Sequence, residues 1–291
     1  SIGGRFEFGF TDVTWADQFF LGYTVSDNYQ DIPHGTTMAQ PYVGRFQKFN
    51  ANIFSLNYVK SNLLLDGLSL HVNAVYSNRS AYLQDTARAM YNWDGKPLMF
   101  IFQGEPRARI KPLGQGQQGP ATILNVDRTI INTRTNLSYI VTNGHKLSLN
   151  HNLNRTKRVD QDLLNHDNLS NANIERNTMT NIIGFNYEAQ TFANKLMTNV
   201  LAKYTINQSM YTNGGIRNTI TNSKPGYGLT ASYNVIPKLF LIGSTENSYI
   251  SPQDEQIYGN PVTNILENLD LLPERNINHH LGFRYAPIVI K

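Results

Sequence analysis

Period-two alternation of apolar and polar positions runs through most of this chain. Its clearest instance is LSLHVNAVYS, in which Leu68, Leu70, Val72, Ala74 and Tyr76 alternate with Ser69, His71, Asn73, Val75 and Ser77. Successive side chains of a strand point to opposite faces, so this spacing predicts a strand with one apolar and one more polar side. At about ten residues it is long enough to cross a bilayer when tilted. Tyr76 closes the apolar side, where a membrane-boundary aromatic would sit. RFEFGFT opens the chain in the same way, with Phe6, Phe8 and Phe10 opposite Glu7, Gly9 and Thr11. In FFLGYTVS, Phe19, Leu21, Tyr23 and Val25 share a face. A polar loop is then predicted from Asp27 to Pro41, followed by a return strand from Tyr42 to Lys60 that is long enough to hold a kink near Asn50.

Beyond Tyr76 the longest loop is predicted from Asn78 to Asp127, and it contains DTARAMYNWDGK and LGQGQQGP. Strand patterns resume over Arg128 to Thr142 and over HKLSLNHNLN, with Asn143-Gly144 between them as a tight hairpin signal. Further strands are predicted over Thr178 to Gln190, Ala193 to Ser209, GLTASYNV, Lys238 to Ile250 and Arg275 to Ala286. Polar loops fill Arg155 to Asn177 and Met210 to Pro225. The total is about eleven strands. Short connections (near residues 15, 65, 143, 192 and 236) alternate with long ones (near 34, 100, 166, 217 and 262). An outer-membrane barrel has this asymmetry, with short periplasmic turns and long extracellular loops. A soluble sandwich has no reason to keep its long loops at one end.

Composition sharpens the choice between those two. Only 16% of the 291 residues are charged, against about 25% in an ordinary soluble domain. The mean hydropathy is nevertheless −0.38, and no apolar run approaches the roughly 18 residues of a membrane-spanning helix. The polar positions carry Asn, Ser, Thr and Gly rather than many Lys and Glu, as suits a water-filled lumen. There is no cysteine, which excludes a disulfide framework and thiolate chemistry. A net charge of +4 without a Lys/Arg run does not suggest nucleic acid. Ser1-Ile2-Gly3-Gly4 lacks the basic head and apolar core of a secretory signal, so an exported protein would begin upstream of it.

Little in the chain carries chemistry of its own. His279 and His280 are neighbours on a strand and point to opposite faces, so they do not chelate one ion readily. His145 and His151 could share a face but have no third ligand. Asp160, Asp162 and Asp167 fall in a predicted loop that lacks the glycine and terminal glutamate of a calcium loop, and read as solvated charges. Asp12, Asp17 and Asp85 have no spacing that pairs them as acid and base. No nucleophile elbow, phosphate loop or dinucleotide fingerprint is present. The expectation is a protein that is not an enzyme, with no metal and no cofactor. Tyr91 and Trp93, in the longest loop, are the candidate substrate contacts, because exposed loop aromatics often meet ligands; packing of the loop itself is the other reading.

The stretch Asn268-Leu269-Asp270-Leu271-Leu272-Pro273-Glu274-Arg275-Asn276, with Leu281-Gly282-Phe283-Arg284-Tyr285, resembles the NPxLxPExS … ElGxxY signature of TonB-dependent outer-membrane receptors. Leu269, Leu272 and Asn276 depart from the residues that family prefers at those positions. Ser251-Pro252 and Gln256 to Pro261 fit the segment that precedes the signature, and Asp85-Thr86 and Tyr91 to Gly95 are similar to Bacteroidetes-type members. The resemblance implies an all-β, antiparallel up-and-down transmembrane β-barrel, incomplete here, with about 11 of about 22 strands. Residues 1–291 would then be part of a single barrel domain, with the plug and the closing strands outside the chain. It implies the bacterial outer membrane as location, and membrane lipid and the TonB complex (through the plug) as partners, a surface lipoprotein being another. The cargo would be a siderophore, cobalamin, glycan or peptide. Pro273, Glu274 and Gly282 would be structural signature positions rather than ligand contacts. A passive porin or structural barrel, and a soluble glycan-binding β protein, are the alternatives.

Overall fold

The computed structural model describes residues 1–31, 45–85, 122–163, 173–213, 216–250 and 271–285, together with residues 252, 256–257 and 268. The described residues form eleven strands: β1 (Ile2–Val13), β2 (Ala16–Asp31), β3 (Arg45–Lys60), β4 (Leu68–Asp85), β5 (Thr122–Thr142), β6 (His145–Asp162), β7 (Asn173–Thr191), β8 (Leu196–Asn213), β9 (Ile216–Ile236), β10 (Leu239–Ile250) and β11 (Glu274–Tyr285). They lie in one sheet in sequence order, each antiparallel to the next, and the sheet is open, with β1 and β11 as its edges. The expected up-and-down, incomplete barrel wall is therefore the fold found. None of the described residues form a helix long and apolar enough to cross a membrane.

The odd-to-even connections are short and share one end of the sheet. They are 14–15, 61–67, 143–144, 192–195 and 237–238, close to where the sequence placed them. Gly144 shows why one of them needs glycine. Its φ is +83°, in the left-handed region, and a Cβ there would lie 2.9 Å from the Gln190 carbonyl oxygen. That oxygen cannot retreat easily, because Gln190 N–H donates to the Gly144 carbonyl at 2.7 Å. Gly144→Ala is expected to destabilise the folded protein by about 1–3 kcal/mol, measured as a lower denaturant midpoint.

At the other end several expected loops turn out to be strand. β4 runs on to Asp85 and β5 begins at Thr122, so the 78–127 loop is shorter than predicted. β2 runs to Asp31, and β6 and β7 extend to Asp162 and from Asn173. The largest correction concerns Met210 to Pro225. β8 and β9 continue through it and leave only 214–215 between them, so the connection near 217 is not long. The physical reason is the same in each case. Beyond the apolar stretch Asn, Thr and Ser fill both faces of a strand and the alternation disappears, although the backbone ladder continues. β2–β3 pairing also runs without a register shift through Asn50, so no kink interrupts β3.

Register puts the apolar positions of successive strands opposite one another. Leu70, Leu137, Leu149, Phe185, Ala202 and Tyr227 form one such row across β4 to β9. These side chains are not a core. The buried apolar residues among those described are Ala16, Ala189, Tyr211 and Ile257, whereas Leu149 is 49% and Phe283 82% exposed. A broad exposed apolar face is what a lipid-facing wall presents and what a soluble protein avoids. Aromatics lie on it at three levels. Phe10, Phe19 and Tyr58 lie near the short turns, Tyr23, Phe54 and Tyr76 share a row farther up, with rings 4.7 and 6.3 Å apart, and Tyr29, Phe46 and Tyr82 stack beyond them, with rings 5.4 and 5.9 Å apart. The row that starts at Phe19 near the turns reaches Tyr204, well up β8. Rows perpendicular to the strands thus climb away from the turns, as they do when strands tilt across a barrel wall.

Candidate functional site

The opposite face is polar and hydrogen-bonded across the strands. Asn136 Nδ2 donates to Asn150 Oδ1 at 2.6 Å, Thr180 Oγ1 to Asn207 Oδ1 at 2.8 Å, and His71 Nε2 lies 3.0 Å from Asn57 Oδ1. Lys203 of β8 reaches over β9 to Glu246 of β10, with Nζ to Oε1 at 3.0 Å. Gly226 makes room for that reach. It faces Lys203 directly, and a Cβ there would lie 2.8 Å from the Lys203 Cε.

The feature that stands apart on this face is a row of four arginines on four successive strands. Arg79 of β4 faces Arg128 of β5, Arg128 faces Arg158 of β6, and Arg158 faces Arg176 of β7. Neighbouring strands are about 4.8 Å apart, so the row spans roughly 14 Å. Like charges directly opposite one another destabilise a sheet unless something offsets them. Asp160 offsets two of them: Arg158 Nε donates to its Oδ1 at 2.7 Å and Arg176 Nη1 to its Oδ2 at 3.2 Å. Arg79 donates through Nε to Ser77 Oγ at 3.0 Å, a neutral partner. Neither Arg79 nor Arg128 has an ion pair among the described residues. Exposure falls along the row, from Arg79, which is exposed, to Arg176, which is 7% exposed. Arg176 Nε is buried with no partner among the described residues.

The row's place on the wall follows from the aromatic levels. Arg79 is three residues past Tyr76 on β4. On β8 the row arrives at Tyr211, opposite Arg176 and seven residues past Tyr204. It therefore begins between the levels of Tyr76 and Tyr82 and climbs farther from the short turns. Tyr211 is packed by Ile257, from the connection between β10 and β11, and by Ile220. Ile257 thus lies against the polar face at the row's far end.

The sequence-predicted candidates are distributed differently. Tyr91 and Trp93 lie outside the described residues, in the 86–121 connection that leaves β4 and β5 beyond Arg79 and Arg128. Asp160 belongs to β6 rather than to a loop and is an ion-pair partner, which corrects its reading as a solvated loop charge; Asp167 lies outside the described residues. His279 and His280 point to opposite faces, being paired with Thr245 and Ser244. His145 and His151 do share a face, but each meets a neighbouring strand: His145 Nδ1 is 2.7 Å from Tyr187 Oη and His151 Nε2 is 2.9 Å from Asn181 Oδ1. Pro273 precedes β11, Glu274 begins it opposite Ile250, and Gly282 faces Ile242. A Cβ at Gly282 would meet nothing within 4 Å, so steric room does not explain the glycine. Sequence reading missed the arginine row, since its members are irregularly spaced in the chain and only register unites them.

No family model and no curated protein matches the chain. Solved structures do. The ferric citrate transporter FecA in its unliganded form superposes with a TM-score of 0.63 at 12% identity, over 97% of this chain and 40% of that one. The copper transporter OprC does so at 0.67 and 12%, over 97% and 42%. The FrpB iron transporter from Neisseria meningitidis (F3-3 variant) does so at 0.63 and 12%, over 98% and 43%. The chain folds as part of a β-barrel wall. It spans about two fifths of the length of each of these structures. This is the architecture implied by the resemblance of residues 268–285 to TonB-dependent receptors, and the proteins that share it are named as transporters.

Proposed function

We propose that this chain is part of the wall of a TonB-dependent transporter in the bacterial outer membrane, and that the transporter takes up a scarce nutrient. The observation that carries the reading is the exposed apolar face with its rows of aromatics, on a sheet that follows the wall of transporter barrels over nearly its whole length. The signature-like residues Pro273, Glu274 and Gly282 support it independently. In this reading residues 1–291 belong to one barrel domain whose plug and closing strands lie elsewhere in the protein. The plug would meet the TonB complex, and a surface lipoprotein is a further partner. Tyr91 and Trp93 contact the cargo from the 86–121 connection. A siderophore, cobalamin, glycan or peptide remains the class of cargo, and the wall performs no covalent chemistry on it.

The test uses the full-length protein in its own cells. It is expected in the outer-membrane fraction, extractable only with detergent, and its deletion should abolish growth on one scarce nutrient to the same degree as loss of TonB. Uptake that persists without TonB would sink the proposal in favour of a passive porin. Recovery of the protein in the soluble fraction would point instead to a secreted glycan-binding protein.

A further inference from the structure

We infer that the row Arg79, Arg128, Arg158 and Arg176 is a binding site for a small polyanion, a solute that carries several carboxylates or phosphates within one molecule. The inference deepens the transport reading, on which it rests only for which side of the wall faces the lumen.

Each arginine of the row faces the next at a consecutive register position, so neighbours lie within one screening length, about 8 Å at physiological ionic strength. Among the described residues one carboxylate, Asp160, serves two of them. Arrangements of this kind in a sheet are unfavourable without further negative charge. Arginine is also the side chain whose planar fork matches carboxylate and phosphate geometry. The pattern of occupancy has a direction. Arg176 and Arg158 are held in place by Asp160, whereas Arg79 and Arg128 keep their forks free of any carboxylate among the described residues. The unpartnered, buried Arg176 Nε adds a donor at the far end. A single small anion would engage one end of a row roughly 14 Å long. A molecule with two or more acid groups bridges it.

Position favours a solute over the lipid of the membrane. The row lies on the polar face, so the wall itself separates it from the apolar belt. It lies past Tyr76, toward the end of the wall away from the short turns, where a solute arriving from outside would first meet the wall.

Titration of the detergent-purified full-length protein tests this, with tripolyphosphate as the phosphate probe and tricarballylate as the carboxylate probe. At least one is expected to bind saturably, and more weakly as salt is raised. Arg128→Gln is the decisive variant, since Arg128 has no ion pair among the described residues to lose. It should weaken binding at least tenfold, with Arg128→Lys intermediate. Arg134→Gln, on the same strand and face but nearer the turns, should leave binding within twofold of wild type. Retained β-sheet circular dichroism shows that each variant is folded. Absence of saturable binding by the wild type, as would follow if an acidic stretch of polypeptide already occupies the row, overturns the inference. So does equal binding by wild type and Arg128→Gln. The transport reading fails by a separate measurement, TonB-independent uptake, which does not alter the titration.

Discussion

Leu149→Arg is expected to destabilise the folded barrel by about 2–4 kcal/mol, the range for a cation placed on the lipid face near the middle of the bilayer. Leu149 sits in the row Leu70, Leu137, Leu149, Phe185, with apolar neighbours on both adjacent strands and half of its surface exposed. A soluble protein would tolerate arginine at so exposed a position, because water would solvate the guanidinium. Lipid does not, so the sign and size of the effect report which solvent this face meets. Asn186→Arg is the matching substitution on the polar face. Asn186 already donates to Glu188 Oε1 at 3.0 Å, so an arginine there gains a carboxylate partner, and the change should stay within about 1 kcal/mol. Urea titration of the full-length protein folded into lipid vesicles measures both. Equal, small effects at the two positions would remove the case for a membrane-facing belt.

Asp160→Asn is expected to cost about 3 kcal/mol, near the lower end for breaking a buried ion pair because its partner Arg158 is partly exposed. Asp160 is 9% exposed and accepts from both Arg158 and Arg176. Its loss leaves four guanidiniums in a row with no carboxylate between the last two. The asparagine is nearly isosteric, so the lost stability measures charge rather than packing. The same variant has a second readout. A polyanion that binds the folded row returns stability by mass action, about 2.7 kcal/mol at a concentration one hundred times its dissociation constant. Tripolyphosphate should therefore raise the urea midpoint of Asp160→Asn more than that of wild type. A variant as stable as wild type would show that Asp160 is not needed to hold the row together.

What alternation could reveal was set by solvent. Within the lipid belt one face must be apolar and the other need not be, so Leu68 to Tyr76 and His145 to Leu153 announce their strands and faces. Asn143-Gly144 announces its turn, since few residues adopt the backbone that Gly144 needs. Past the apolar stretch, in NQSMYTN and IRNTITN, polar residues fill both faces and the same ladder leaves no period to read. That is why the facing ends of β8 and β9, from Met210 to Pro225, looked like a loop.

By itself, then, the sequence determined the fold class, the positions of the apolar face and the turn-bearing end, all consequences of local geometry and of the alternation of apolar and polar residues. The tertiary structure alone decided how far the strands extend beyond the membrane and which polar residues meet. Arg79, Arg128, Arg158 and Arg176 are separated by unequal lengths of chain, including the long 86–121 connection. A one-residue slip between any two strands would turn one member to the lipid face. The row exists because strand register, which is set jointly by the apolar belt and the turns, happens to bring those four positions level.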